Sequence, residues 1–289
     1  MSTTRPHAKP RTDHLRNQLL TPVTAILNLS EAVLRADDLT SQQRDYLTII
    51  QQSALTTFAF NRGIVTRYSE NGFAALAEFD QDWSSPIANI ISYSELLIAH
   101  HAGTLPARHM PRINRIFFRA FDVRRQVLNL LEYAHLCDQQ TLPMTTFPLS
   151  DVLYPGCIFL DVAVPVRWEL LANQPRVYAS KVYLMRTLEN LLDNARKFTR
   201  AGYITITAQK MDKRVDITVT DTGIGIPYTI QSSVFQPFYQ LDPSTEGLGL
   251  GLYIAQAYVA KQGGKLLMVS VPDVGTQFQF SIPLAPTVL

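Results

Sequence analysis

Between Asp221 and Leu252 the chain runs D-T-G-I-G-I-P, then V-F-Q-P-F-Y-Q, then G-L-G-L-G-L. The first cluster sets the carboxylate of Asp221 beside Gly223 and Gly225, and a carboxylate can accept the amino hydrogens of a nucleobase. The second, Gly247, Gly249, Leu250 and Gly251, opens an apolar helical run, where glycines let backbone N–H groups approach phosphates at a helix N-terminus. Two such clusters in this order suggest a nucleotide held at both ends. Upstream, Asn190 and Asn194 stand four residues apart in a segment of helical periodicity, Lys181–Phe198, and so share a face. Asn194 offers an amide oxygen suited to a magnesium ion that keeps most of its waters, and Lys197 on the next turn reaches for phosphate.

These residues must be held by the elements around them. Phe147–Leu153, Val166–Leu171, Tyr203–Ala208, Val215–Thr220, Lys265–Val271 and Gln277–Ile282 read as strands, several with alternating apolar and polar residues. Met211–Arg214 is the tight connection of one hairpin. A second helix over Leu250–Gln262 is closed by Gly263 and Gly264. Strands and a few helices in this order predict one mixed sheet covered on one face by helices, an α/β sandwich over residues 145–289.

The preceding residues have a different periodicity. After a polar tail at 1–12, apolar residues from Asp13 to Leu34 form two adjacent helical stripes, and a second helix follows over Ser41–Tyr68. Thr21–Glu31, T-P-V-T-A-I-L-N-L-S-E, is then echoed by Ser85–Glu95, S-P-I-A-N-I-I-S-Y-S-E. The register resumes after the turn, with Ile50, Ala54 and Ile64 opposite Ile116, Ala120 and Leu130. Residues 13–70 and 74–138 are therefore read as a duplicated helical hairpin, and two hairpins can bury each other's apolar faces as an all-α four-helix bundle. The whole is an α+β chain with an all-α N-terminal half.

Composition sets further bounds. At 289 residues there is room for two domains. A net charge of +2, with 17% charged residues and no long run of one sign, gives no indication of a nucleic-acid partner. No uninterrupted apolar stretch approaches the roughly 18 residues of a membrane span, and nothing near Met1 has a signal-peptide pattern, so the expectation is a cytoplasmic protein without membrane insertion. Cys137 and Cys157 lack metal-ligand spacing and read as small buried residues or reduced thiols.

Four linked motifs carry a resemblance to the sensor histidine kinases of two-component signalling. Glu189–Thr199 resembles their N box, Asp221–Pro227 their G1 box, Val234–Tyr239, with Phe235 and Phe238, their F box, and Gly247–Leu252 their G2 box. The resemblance implies a catalytic domain binding ATP and Mg2+, with Asp221 on the adenine amino group, Asn194 on magnesium and the second glycine cluster shaping a phosphate lid. Gyrase-, chaperone- and mismatch-repair-type ATPases share the site but have a glutamate where Asn190 stands, so plain ATP hydrolysis is disfavoured.

The two hairpins are similar to the family's dimerisation and phosphoacceptor hairpin, through L-x-T-P-V-x-A-I-L and W-x-S-P-I-x-N-I-I. In the family the acceptor histidine stands five residues before the proline. Those positions here are Asn17 and Gln81. The acidic neighbour that would act as general base is Gln18 in the first copy and survives as Asp82 in the second. His14, nearly a turn before Asn17, is an alternative acceptor if the register slips. His100, His101, His109 and His135 fall near hairpin turns or ends and read as surface or capping residues. Gln240 replaces a cation often found after the F-box aromatic, and Ser180 replaces an aspartate at the start of the N-box helix, where it can act as N-cap.

The resulting expectation is an ATP-binding, histidine-kinase-like signalling protein without its own phosphoacceptor, acting as a pseudokinase, a regulator or a kinase in trans. The alternatives are an active kinase using a displaced histidine such as His14, and a scaffold that docks a response regulator without nucleotide chemistry. A response regulator or another histidine kinase is the implied partner. With both hairpins in one chain, a monomer with an intramolecular pseudo-dimeric bundle is expected over a homodimer.

Overall fold

The computed structural model describes residues 12–77, 82–136, 143–153, 164–169, 175–241 and 247–286. The chain divides into two compact units. The first contains α1 (Thr12–Leu34), α2 (Ser41–Asn71), a single turn α3 (Ala74–Ala77), α4 (Ser84–Ile98) and α5 (Met110–Leu136), and also takes in Gly247 and Leu248. Buried positions along α1 are Leu15, Leu19, Pro22, Val23, Ile26, Ser30 and Val33, a stripe of helical spacing. Leu47, Ile50, Ala54 and Ile64 on α2, and Ile113, Ile116, Ala120 and Val127 on α5, are its counterparts. Helix α1 packs on α2 and α5, and α4 packs on the same two, so a four-helix ring closes inside one chain. Each fully buried aliphatic side chain contributes about 1.5–3 kcal/mol relative to exposure, and this burial holds the ring together.

Where the hairpins turn, Thr40 and Gln43 form a reciprocal capping box at the start of α2. The Gln43 amide also donates to the carbonyls of Gly103 and Thr104, each at 3.3 Å, so one cap stitches both turns. Of the surface or capping roles expected for His109, the structure gives the second, since it immediately precedes α5 and its carbonyl accepts from the Ile113 N–H at 3.1 Å. It is 3% exposed, and its Nε2 lies 3.0 Å from Asp38 Oδ1, which Arg108 also approaches at 2.8 Å. Hydrogen bonds from His109 and Arg108 lower the Asp38 pKa from 3.8 to about 2. His100, His101 and His135 are exposed.

The duplication is unequal at the start of each copy. Helix α1 is well established before it reaches Pro22, whereas Pro86 lies in the first turn of α4, where its missing N–H leaves no gap in the helix. In α1, Pro22 cannot donate to the Gln18 carbonyl. In the same turn the Leu19 carbonyl accepts a buried hydrogen bond from Asn61 Nδ2 of α2, at 2.8 Å.

The second unit contains β1 (Thr145–Pro148), α6 (Ser150–Leu153), β2 (Val166–Glu169), β3 (Arg176–Ala179), α7 (Lys181–Phe198), β4 (Ile204–Lys210), β5 (Arg214–Asp221), a 3-10 turn at Tyr228–Ile230, α8 (Gly251–Lys261), β6 (Leu267–Val271) and β7 (Gly275–Pro283). A five-stranded mixed sheet has the order β2-β4-β5-β7-β6, with β2 parallel to β4 and the other pairs antiparallel. Ile204 and Ile206, Ile217 and Val219, and Phe278 and Phe280 point from its three central strands into one core with Leu184, Leu188 and Leu191 of α7 and Ala255 and Val259 of α8.

Two strand expectations are corrected. The segment predicted as a strand over Phe147–Leu153 is a strand only to Pro148. It then forms the turn α6, because Leu149, Val152 and Leu153 bury themselves at one-turn spacing. The predicted single sheet is two, since β1 pairs antiparallel with β3, a four-residue strand too short to show a pattern. No described helix is long and apolar enough to cross a membrane.

Candidate functional site

Helix α7 is the spine of the site. Ser180 caps it, its side chain accepting from the Tyr183 N–H at 3.5 Å. Arg196 and Lys197 in the last turn suit the negative end of the helix dipole. Leu184, Leu188, Leu191 and Ala195 face the core. A polar stripe runs beside them through Arg186, Asn190, Asn194 and Lys197, spaced four, four and three residues apart. Asn190 is 2% exposed and its Nδ2 donates to the Arg186 carbonyl at 3.0 Å. Asn194 is half-buried. Lys197 is engaged by Asp193 at 2.8 Å, and Arg196 reaches the same carboxylate at 3.2 Å.

The first glycine cluster begins at the last residue of β5. Asp221 is 7% exposed, and burial raises its carboxyl pKa, opposed by backbone N–H groups of Gly223 and Thr276. Its Oδ1 accepts from the Gly223 N–H at 2.9 Å. Gly223 lies so close to α7 that an added Cβ would stand 2.4 Å from the Phe198 carbonyl oxygen. The next residue, Ile224, donates to that same carbonyl at 3.1 Å. The first cluster therefore abuts the C-terminal end of α7. Farther along, Ile226 N–H donates to Ser270 Oγ at 2.8 Å, and Gln231 donates to the Ile226 and Ser270 carbonyls, fixing the loop against β6.

The aromatic segment and the second cluster hold one another. Phe235 meets Phe278 edge-on, with centroids 6.3 Å apart, and so anchors the segment to the core. Phe238 has a φ of 64°, unusual for its type, and its N–H donates to the Gly249 carbonyl at 3.0 Å. Gly249 has a φ of 67°, and a Cβ there would lie 2.4 Å from the Tyr239 carbonyl oxygen, so no other residue fits without displacement. Leu250 is buried at the start of α8, and a Cβ on Gly251 would come within 3.1 Å of Asn190 Oδ1. The second cluster thus meets α7 at Asn190. Gly247, with a φ of 122°, falls with the helical unit.

The two clusters meet α7 eight residues apart, at Phe198 and Asn190, a separation of about 12 Å along the axis at 1.5 Å per residue. Asn194 lies midway. A single neutral amide oxygen there fits a magnesium ion that takes its remaining ligands from phosphates and water.

Thr276 belongs to this site although the sequence reading passed over it. It is 6% exposed, lies opposite Asp221 in the β5–β7 register and gives its backbone N–H to that carboxylate. Gly275-Thr276 opening the last strand was the available signal. Arg186, four residues before Asn190, was likewise legible only as an extension of the Asn190–Asn194 stripe.

In the helical unit, Asn17 is exposed on α1, and His14 is half-buried on the same helix. Gln81 lies outside the described residues. Asp82 serves α4 as a cap, its Oδ1 accepting from the N–H groups of Ser84 and Ser85 at 3.2 and 3.1 Å, with both serine hydroxyls also bound to the carboxylate. These bonds, led by the Ser85 hydroxyl, lower its pKa.

Residues 179–286 match the family described as histidine kinase-, DNA gyrase B- and HSP90-like ATPase. The chain is 31% identical over 154 residues to the adaptive-response sensory kinase SasA of Parasynechococcus marenigrum (strain WH8102), a match covering 52% of this chain and 40% of that kinase. It is 29% identical over 280 residues to the signal transduction histidine-protein kinase BarA of Escherichia coli (strain K12), covering 94% of this chain and 24% of BarA. Full-length ShkA in complex with AMPPNP has a TM-score of 0.53 and 24% identity, with 75% of this chain and 46% of that one covered, a likeness of fold. The chain spans less than half the length of the curated relatives it matches.

Proposed function

We propose, from the premise that this chain belongs to the sensor histidine kinase family through its ATP-binding catalytic domain, that it binds Mg-ATP, does not phosphorylate itself at the family's acceptor position, and acts instead on a partner. That partner is a response regulator or another histidine kinase, reached as a regulator, a docking platform or a kinase in trans. The observation carrying this reading is the exposed carboxamide of Asn17 at the acceptor position of α1, in a chain whose glycine clusters are built against α7 at both ends. A carboxamide cannot become a phosphohistidine. Asp82 is a poor base for the second copy, because its carboxylate is already engaged as a helix cap by the N–H groups and hydroxyls of Ser84 and Ser85, and these bonds favour its charged form and lower its pKa.

In this reading Asp221 accepts the adenine amino hydrogens, and its bond from Gly223 fixes which oxygen faces the base. The phosphates extend along α7 toward the N-terminus of α8, where first-turn N–H groups and the helix dipole favour anions. Asn194 would hold magnesium, which when bound neutralises charge on the phosphates. Lys197, paired with Asp193, adds a cation to the same helix face. The ring of α1, α2, α4 and α5 within one chain supports a monomer with an intramolecular bundle.

The test combines calorimetry with labelling of the full chain by γ-labelled ATP and magnesium. Saturable ATP binding with no acid-labile phosphate on the chain is the expected result. Acid-labile label that disappears in His14→Ala would favour self-phosphorylation on a displaced histidine. Absence of nucleotide binding would leave a scaffold.

A further inference from the structure

Arg186 is a buried cation that the reading above leaves without a task. Its side chain is only 8% exposed, and it forms an ion pair with Glu189 one turn along α7. Burying a guanidinium is costly unless its charge is met, and Glu189, with 21% side-chain exposure, meets it from the more open side of the helix.

Its position along the helix gives it meaning. The first glycine cluster meets α7 at Phe198 and the second at Asn190, so a nucleotide with its base at Asp221 runs about 12 Å along the helix toward its N-terminus. Arg186 is the next residue of the same stripe, about 6 Å beyond Asn190, and its carbonyl holds the Asn190 side chain. A side chain as long as arginine's, rooted one turn beyond Asn190, is the next cation along the stripe at the end where a third phosphate would lie. The residue after the F-box aromatic, where a lid cation would stand, is the neutral Gln240.

We propose that Arg186 binds the terminal phosphate of the nucleotide, and is the residue by which this site distinguishes a triphosphate from a diphosphate. The inference rests on the ATP-binding reading and adds to it the partner of the third phosphate. Glu189 orients the guanidinium before the ligand arrives. The planar fork of arginine suits two phosphate oxygens at once, which a lysine ammonium matches only as a point charge.

The experiment measures ATP and ADP affinities, with magnesium, by calorimetry for the full-length wild type, Arg186→Ala and Arg186→Lys, with melting temperatures as the check on folding. The expected result is that Arg186→Ala weakens ATP by about 10-fold or more while ADP stays within about twofold, with partial recovery in Arg186→Lys. Equal losses for ATP and ADP, or no loss for either, would overturn the assignment while leaving nucleotide binding intact. If Arg186→Ala does not fold, the ATP-to-ADP ratio of Arg186→Lys decides, and a ratio equal to wild type refutes the proposal. Failure of the wild type to bind either nucleotide would overturn the ATP-binding reading itself, and this inference with it.

Discussion

Replacing Asp221 with asparagine should separate binding from stability at this site. One carboxylate oxygen accepts the Gly223 N–H at 2.9 Å, so the asparagine oxygen will take that place and its NH2 will face the base. A donor then opposes the donor of the adenine amino group. Hydrogen bonds to charged groups contribute about 1.5–3 kcal/mol, so ATP affinity should fall by about 10- to 150-fold. Stability should move the other way. Burial raises the Asp221 pKa above the ordinary 3.8, so the folded chain holds this proton more tightly than the unfolded one. The associated stability is fully present below the ordinary pKa and is lost as pH rises through the raised one. The Asp221→Asn variant has no such loss, and without ligand it should melt at or above the wild-type temperature at neutral pH. Calorimetry with Mg-ATP and thermal melts across the acid-to-neutral range test both halves. An unchanged ATP affinity, or a variant that melts below wild type at neutral pH, would refute the reasoning.

Two predictions concern the helical unit. Asn61→Ala removes the buried bond to the Leu19 carbonyl beside Pro22 and should lower the unfolding free energy by about 1–3 kcal/mol, read from urea denaturation monitored by circular dichroism. Asp38 has its pKa lowered to about 2, so the stability it confers is present above the ordinary 3.8 and is lost as pH falls through about 2. Asp38→Asn should flatten the acid limb of the stability profile in that window, and an unchanged limb would show that the His109–Arg108–Asp38 cluster is not what holds the turns.

The site was more legible in the sequence than the fold that carries it, and the reason is locality. Glycines at 223 and 249 are required by backbones that pass within a few ångströms, and Asn190 and Asn194 announce a shared face by spacing alone. Contacts between distant segments leave no such trace. Asp38 and His109 are separated by 71 residues, so His109 looked like one more turn residue. Thr276 enters the site through its pairing with Asp221, a matter of strand register that no local pattern encodes. The α6 turn was misread because Leu149, Val152 and Leu153 follow directly on a real strand, where a single helical turn is too short to establish a period. The repeat, in turn, shows that the hairpin is duplicated but not where each copy's first helix begins: a side-chain cap from Asp82 and a first-turn proline begin α4 at Ser84.

That unequal start has a genetic consequence. In a bundle assembled from two copies of one chain, every substitution is inherited twice and the twofold axis is renewed with each mutation. Here the ring of α1, α2, α4 and α5 is written once, as two separate stretches of sequence. A change near Pro22 need not be matched near Pro86. Each hairpin is thus free to answer to a different selective pressure, and the bundle can acquire a front and a back.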